Sequence, residues 1–168
     1  SNRRLAAGVT IDGGQVDTLA ITTTAANAGS NGGNVDIDGT GPVTIAGTIT
    51  ANGNGTGNGA TVDVDAAGAN AVSVTAINSR GGGGAGDTGG PITLNDNGGT
   101  GLITLNGNID SSATNGTGGA ITFGTAIELG GDIQVSTGTT GGDINVQSTL
   151  DGNTGAAQDD LTLIAGDG

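Results

Sequence analysis

One short phrase governs this sequence: a Gly, followed closely by two apolar residues with one polar residue between them. It recurs as Gly33-Asn34-Val35-Asp36-Ile37, Gly59-Ala60-Thr61-Val62-Asp63-Val64, Gly90-Pro91-Ile92-Thr93-Leu94, Gly119-Ala120-Ile121-Thr122-Phe123 and Gly142-Asp143-Ile144-Asn145-Val146. Its first apolar positions, Val35, Val62, Ile92, Ile121 and Ile144, stand 27, 30, 29 and 23 residues apart. Self-similarity at such a period marks a chain of stacked units, each too small to bury its own apolar face and each completed by its neighbours.

A second phrase lies inside the period: Val43-Thr44-Ile45, Val72-Ser73-Val74 and Ile103-Thr104-Leu105, each followed by a further apolar residue at Ile49, Ile77 or Ile109. Alternation of apolar with polar residues is the two-residue period of a strand, and the β-branched residues favour an extended backbone with one buried face. Each period therefore predicts about three short strands, of two to five residues. Asn-Gly steps at Asn31, Asn52, Asn54, Asn58, Asn97, Asn106 and Asn115 predict sharp corners, because both residue types tolerate positive φ. No stretch carries a helical apolar period. The expectation is an all-β, right-handed parallel β-helix of about six coils without α-helix, a rod of about 30 Å at the strand spacing. Its inner ladder runs Val35, Val62, Ile92, Ile121, Ile144.

Composition fits a thin column better than a sphere: 38 of the 168 residues are Gly. Sixteen acidic residues against three basic ones give a net charge of −13, which repels phosphate backbones and anionic headgroups, so no nucleic-acid partner is expected. No apolar run is long enough for membrane insertion. His, Cys, Met, Trp, Tyr and Lys are all absent, which removes the imidazole base, the thiol nucleophile, the Schiff-base amine and the soft metal ligands. The repeat predicts a single β-solenoid segment over residues 1–168, and the absence of Met leads to the expectation that it is a fragment or processed piece of a longer repetitive protein.

The Gly-Gly-x-apolar-x-apolar starts at Gly32-Gly33, Gly89-Gly90, Gly118-Gly119 and Gly141-Gly142, with the stretch from Ile121 to Leu163, resemble the repeat region of filamentous haemagglutinin-like adhesins and autotransporter passengers. The resemblance implies a parallel β-helix in a secreted surface or fibre protein. No secretion-signal segment of that family is found, which fits an interior slice of repeats.

Hard cations require several oxygen ligands, and Asp, Asn and carbonyls are the donors this chain has in number. Asp36 and Asp38 face outward on one coil with Asp63 and Asp65 in register above, a patch that could bind calcium weakly or consist of solvated acids. The calcium-binding Gly-Gly-x-Gly-x-Asp pattern fails, since Gly82-Gly83-Gly84-Ala85-Gly86-Asp87 has Ala85 at its fourth position. Thr44, Ser73 and Thr104 form an outward hydroxyl row, but Glu128 takes the next rung, so a regular ice-binding face is not expected. The sequons Asn54-Gly55-Thr56 and Asn115-Gly116-Thr117 are no more than this composition supplies by chance.

The functional expectation is a structural, extracellular or cell-surface fibre protein of the adhesin class, a filament body or spacer and not an enzyme. Its partners would be further copies stacked end to end, and glycans or proteins of a host or neighbouring cell. The competing expectation is a carbohydrate-active β-helix enzyme, a polysaccharide lyase or hydrolase. Its carboxylates would include Asp159 and Asp160, which face apart if the strand at Leu161 includes them. A third is a calcium-stabilised surface-layer or biofilm matrix protein.

Overall fold

The computed structural model describes residues 6–95, 97–152 and 159–166, all in strands, turns and loops, with no helix among them. The chain is a parallel β-solenoid of about six turns. Its first face stacks six strands, one per turn: β1 (Val9–Gly13), β4 (Val35–Gly39), β6 (Val62–Ala66), β8 (Ile92–Leu94), β11 (Ile121–Phe123) and β14 (Ile144–Val146). Every neighbouring pair is parallel, and the register aligns Val9, Val35, Val62, Ile92, Ile121 and Ile144 in one column. The predicted ladder is therefore present, with one rung more at Val9.

Ten further strands form the second and third faces: β2 (Val16–Thr18), β3 (Ile21–Thr22), β5 (Val43–Thr50), β7 (Val72–Asn78), β9 (Ile103–Leu105), β10 (Ile109–Asp110), β12 (Ile127–Leu129), β13 (Ile133–Ser136), β15 (Leu150–Gly152) and β16 (Leu161–Ile164). Strands β5 and β7 have eight and seven residues, longer than the two to five expected, because each continues around the corner that separates two strands in the other turns. The β5 to β7 register slips between Ile45 and Thr48, a bulge at that corner. On the second face Val16, Val43, Val72, Ile103, Ile127 and Leu150 align; on the third, Ile21, Ile49, Ile77, Ile109, Val135 and Leu163.

These columns fill the interior. Side chains such as Ile37, Ile77, Ile92, Leu94, Ile103 and Phe123 are buried, each contributing ~1.5–3 kcal/mol through apolar area removed from water. Short strands suffice because each pairs with the turns before and after it. In the last turn the columns lose their cover: Leu150 is 37% exposed and Leu163 51%, whereas Ile127 and Val135 beneath them are buried.

A second layer stands beside this column. After the third face the chain leaves on an excursion, at 24–32, 52–59, 80–89 and 112–118, before returning to the first face. Each excursion is pinched at its base by one backbone hydrogen bond: Gly33 N–H to Thr23 C=O (2.8 Å), Ala60 to Ala51 (3.0 Å), Gly90 to Ser79 (2.7 Å) and Gly119 to Ser111 (2.9 Å). Buried hydroxyls reinforce three of these pinches, Thr23 Oγ1 donating to Gly33 C=O, Ser79 Oγ to Ala60 C=O and Ser111 Oγ to Gly119 C=O. The excursions stack into a glycine-rich fin, bonded through Gly29 N–H to Asn54 C=O, Gly82 to Gly57 and Gly84 to Gly55.

The fin explains the Gly-Gly phrase. A Cβ on Gly33, Gly90 or Gly119 would overlap the carbonyl of Ala7, Ala60 or Gly90 in the turn before. One on Gly32, Gly89 or Gly118 would overlap that of Ala51, Ser111 or Thr137 at the foot of the excursion in the turn after. The pair admits two backbones at once, one from each neighbouring turn.

Candidate functional site

The four candidate cation ligands lie on the first face in the expected register, Asp36 beside Asp63 and Asp38 beside Asp65, and Asp12 extends the second pair by a rung. Their environments differ. Asp36 and Asp38 are exposed and Asp63 is half-buried, but Asp65 is buried at 8% exposure, so the outward patch of four is an outward patch of three at most. Above Asp65 the chain turns out of the strand path at Asn95, the one non-glycine residue with positive φ (53°) among those described. The buried Asn95 amide bonds Ala66 N–H, Gly101 C=O and Thr125 Oγ1, which fixes that turn. Partial desolvation against the sheet, then the charges of Asp36 and Asp12, hold the Asp38 carboxyl above its ordinary value. Asp36 and Asp63 border one open depression with Thr10, Asn34 and Thr61. Among the described residues no three carboxylates converge closely enough to hold a metal ion.

The fin contains an acid that sequence reasoning passed over. Asp87, read only as the end of a failed calcium pattern, is fully buried; its Oδ2 accepts from Gly83 N–H at 2.5 Å and its Oδ1 has no hydrogen-bond partner among the described residues. Its place over Gly81 depends on that residue's missing side chain, since a Cβ there would press on the Asp87 carboxylate. Asp159 and Asp160 sit just before β16, and Asp160 uses its N–H to reach Asp132 Oδ1 at 3.1 Å. The row Thr44, Ser73, Thr104, Glu128, Asp151 is in register and turns acidic at its end.

The Asn residues behave otherwise than their sequence predicts. Positive φ at the Asn-Gly steps belongs to glycine, at Gly55 and Gly98, while the side chains of Asn31, Asn52 and Asn58 bind the next turn. At Asn31-Gly32 the Asn Oδ1 accepts from Asn58 N–H (2.9 Å), and the Gly N–H donates to the carbonyl of that same Asn58 (2.9 Å). Asn52-Gly53 grips Arg80 in the same way at 2.8 and 2.9 Å, and Asn58-Gly59 grips Thr88 at 2.9 and 2.8 Å. Asn34-Val35 on Thr61 and Asp132-Ile133 on Asp160 repeat the arrangement without Gly. A short amide or carboxylate thus supplies the acceptor that strand geometry would otherwise provide, where the backbone is irregular. Arg80 interrupts one such row, since guanidinium cannot accept; it pairs instead with Asp110 at 3.2 Å.

The depression lined by Ala6, Gly8, Asn31, Gly33, Ala60 and Thr61 carries no titratable side chain. No protein family, no curated protein and no solved structure matches this chain.

Proposed function

We propose that this chain is a structural protein of the extracellular or cell-surface adhesin class, the body or spacer of a fibre. The observation that carries this reading is the continuity of three apolar columns through six turns, with backbone close-packed between them. Such a column resists deformation along its length and offers a long, regular, acidic flank to glycans or proteins of a neighbouring cell. Copies associate end to end, the half-covered Leu150 and Leu163 of one stacking on the Val16 and Ile21 positions of the next, so that the columns continue. A head-to-tail contact of this kind does not close and therefore propagates.

Light scattering and electron microscopy on concentrated protein at moderate salt test the proposal. Filaments whose length grows with concentration, together with inertness towards a panel of acidic polysaccharides, support it. A monodisperse monomer, or turnover of any polysaccharide, overturns it in favour of an isolated module or a carbohydrate-active enzyme.

A second reading is a calcium-stabilised form of the same scaffold, in which a cation bridges the neighbouring rungs Asp36 and Asp63 with solvent completing its shell, since no three carboxylates converge there among the described residues. Binding would be in the range of extracellular modules, roughly 0.1 to 1 mM. A higher melting temperature in calcium than in sodium chloride of equal ionic strength supports it. Equal melting temperatures leave the patch as solvated acid.

A further inference from the structure

Seven Asn-Gly steps occur in this chain, and the structure treats one of them differently. An Asn-Gly step is a site of spontaneous backbone chemistry, because glycine offers no side chain to obstruct attack of its own amide nitrogen on the preceding side-chain amide. Three steps are locked. At Asn31-Gly32, Asn52-Gly53 and Asn58-Gly59 the attacking N–H is already donated to the next turn, and the Asn oxygen is held by the same residue there. Ring closure at these steps requires both bonds to open and the neighbouring turn to move, because Gly32, Gly53 and Gly59 each lie against backbone that leaves no room for a Cβ. Three more are tied through the leaving group: Asn54 Nδ2 donates to Ala25 C=O (3.2 Å), Asn106 Nδ2 to Ser73 Oγ (3.1 Å) and Asn115 Nδ2 to Gly83 C=O (2.6 Å).

Asn97-Gly98 has none of these restraints. Both residues are exposed, in the corner between β8 and β9 and outside the excursions that form the fin. Neither the Asn97 side chain nor the Gly98 N–H is bonded to a described residue. Gly98 has φ 79°, and a Cβ built there meets open space.

We infer that Asn97 is the site at which the folded protein deamidates, and that the inter-turn clamps protect the other Asn-Gly steps. In the reaction the Gly98 nitrogen gives its proton to solvent base and attacks Asn97 Cγ. The side-chain nitrogen leaves as ammonia, and a five-membered succinimide remains. Water then opens the ring at either carbonyl to give aspartate or isoaspartate. The balance is one amide and one water to one carboxylate and one ammonium, with no oxidant or reductant. Each event makes the surface one charge more negative, and the isoaspartate route inserts one atom into the backbone at a corner with space for it.

Folded protein held at mildly alkaline pH, sampled over time and digested beside its acidic residues, reports each Asn by peptide mass spectrometry and by enzymatic labelling of isoaspartate. Asn97 is expected to convert roughly tenfold or more ahead of Asn31, Asn52 and Asn58, whose exposure requires local opening of the stack. In urea the four rates should converge, and the Asn97→Gln variant should lose the early acidic species while melting at the same temperature. The inference is overturned if Asn31, Asn52 or Asn58 keeps pace with Asn97 in the folded protein, or if the early acidic species persists in Asn97→Gln.

Discussion

The column and the fin repeat at the same spacing and are bonded across the same turns, yet they are built from opposite materials. In the column, side chains occupy the space: Phe123, Ile92, Ile103 and Ile109 are buried and their identities set the fit. In the fin, backbone occupies the space, and glycines such as Gly89, Gly116 and Gly118 are positions where any side chain would collide with a neighbouring carbonyl. One rise per turn can thus be met by filling a gap or by leaving none. The difference teaches that removing atoms should damage one region and adding atoms the other.

The largest effect is expected in the column. Phe123→Ala leaves a cavity in a core only a few side chains wide and should lower unfolding free energy by ~3–5 kcal/mol in urea titration. The reciprocal change, Gly118→Ala, inserts one methyl group against the Thr137 carbonyl and should destabilise by about 3 kcal/mol, at the upper end of overpacking because backbone yields less than side chain. A neutral Gly118→Ala would break the comparison. Asn58→Ala sharpens it from the junction between the regions: the Thr88 N–H loses its acceptor, and a loss of ~1–2 kcal/mol is expected. Asn58→Asp keeps the acceptor, as Asp132 does naturally, and should lose less by the same measurement.

The smallest effect lies on the outer surface of the first face. Since the Asp38 carboxyl is raised above its ordinary value, folded chain binds that proton more tightly than unfolded chain. Its contribution to stability is fully present below the unfolded value and is lost as pH rises through the raised folded value. Asp38→Asn should flatten that fall and raise the melting temperature slightly at neutral pH, more at low salt than at high. Thermal melts of both proteins from acid to neutral pH read the difference.

The column was legible in the sequence because strand alternation and β-branched residues report burial directly: Val35, Val62, Ile92, Ile121 and Ile144 occupy the rungs their spacing assigns. The first turn escaped the pattern because Gly8 adjoins Val9 without the intervening residue of the other copies. The fin was less legible. Its Gly-Gly pairs were visible, but their reason is a contact between turns, and no local rule distinguishes a glycine needed for φ from one needed for closeness. Asn-Gly was misread in part, since positive φ occurs at Gly55 and Gly98 but a turn residue and an inter-turn clamp share a dipeptide. Burial of Asp65 depends on the path of the next turn beyond Leu94, which the alternation of β6 does not encode.

The clamps also give the solenoid a direction. At Asn31, Asn34, Asn52, Asn58, Asn108 and Asp132 the side-chain oxygen accepts from a residue 26 to 30 positions later in the chain, never earlier. The Asn side chains at Asn54, Asn70, Asn106 and Asn115 donate back to a turn already passed, and Asn95 runs the other way, donating forward to Thr125 and accepting from the earlier Ala66 N–H. A turn that has formed therefore presents acceptors to the segment that follows it, and that segment brings donors suited to the turn behind. Among these side chains, and outside the Asn95 corner, a newly formed turn leaves only acceptors waiting for the next segment, so a polypeptide delivered one end first can order itself as it arrives, each turn serving as the mould for the next.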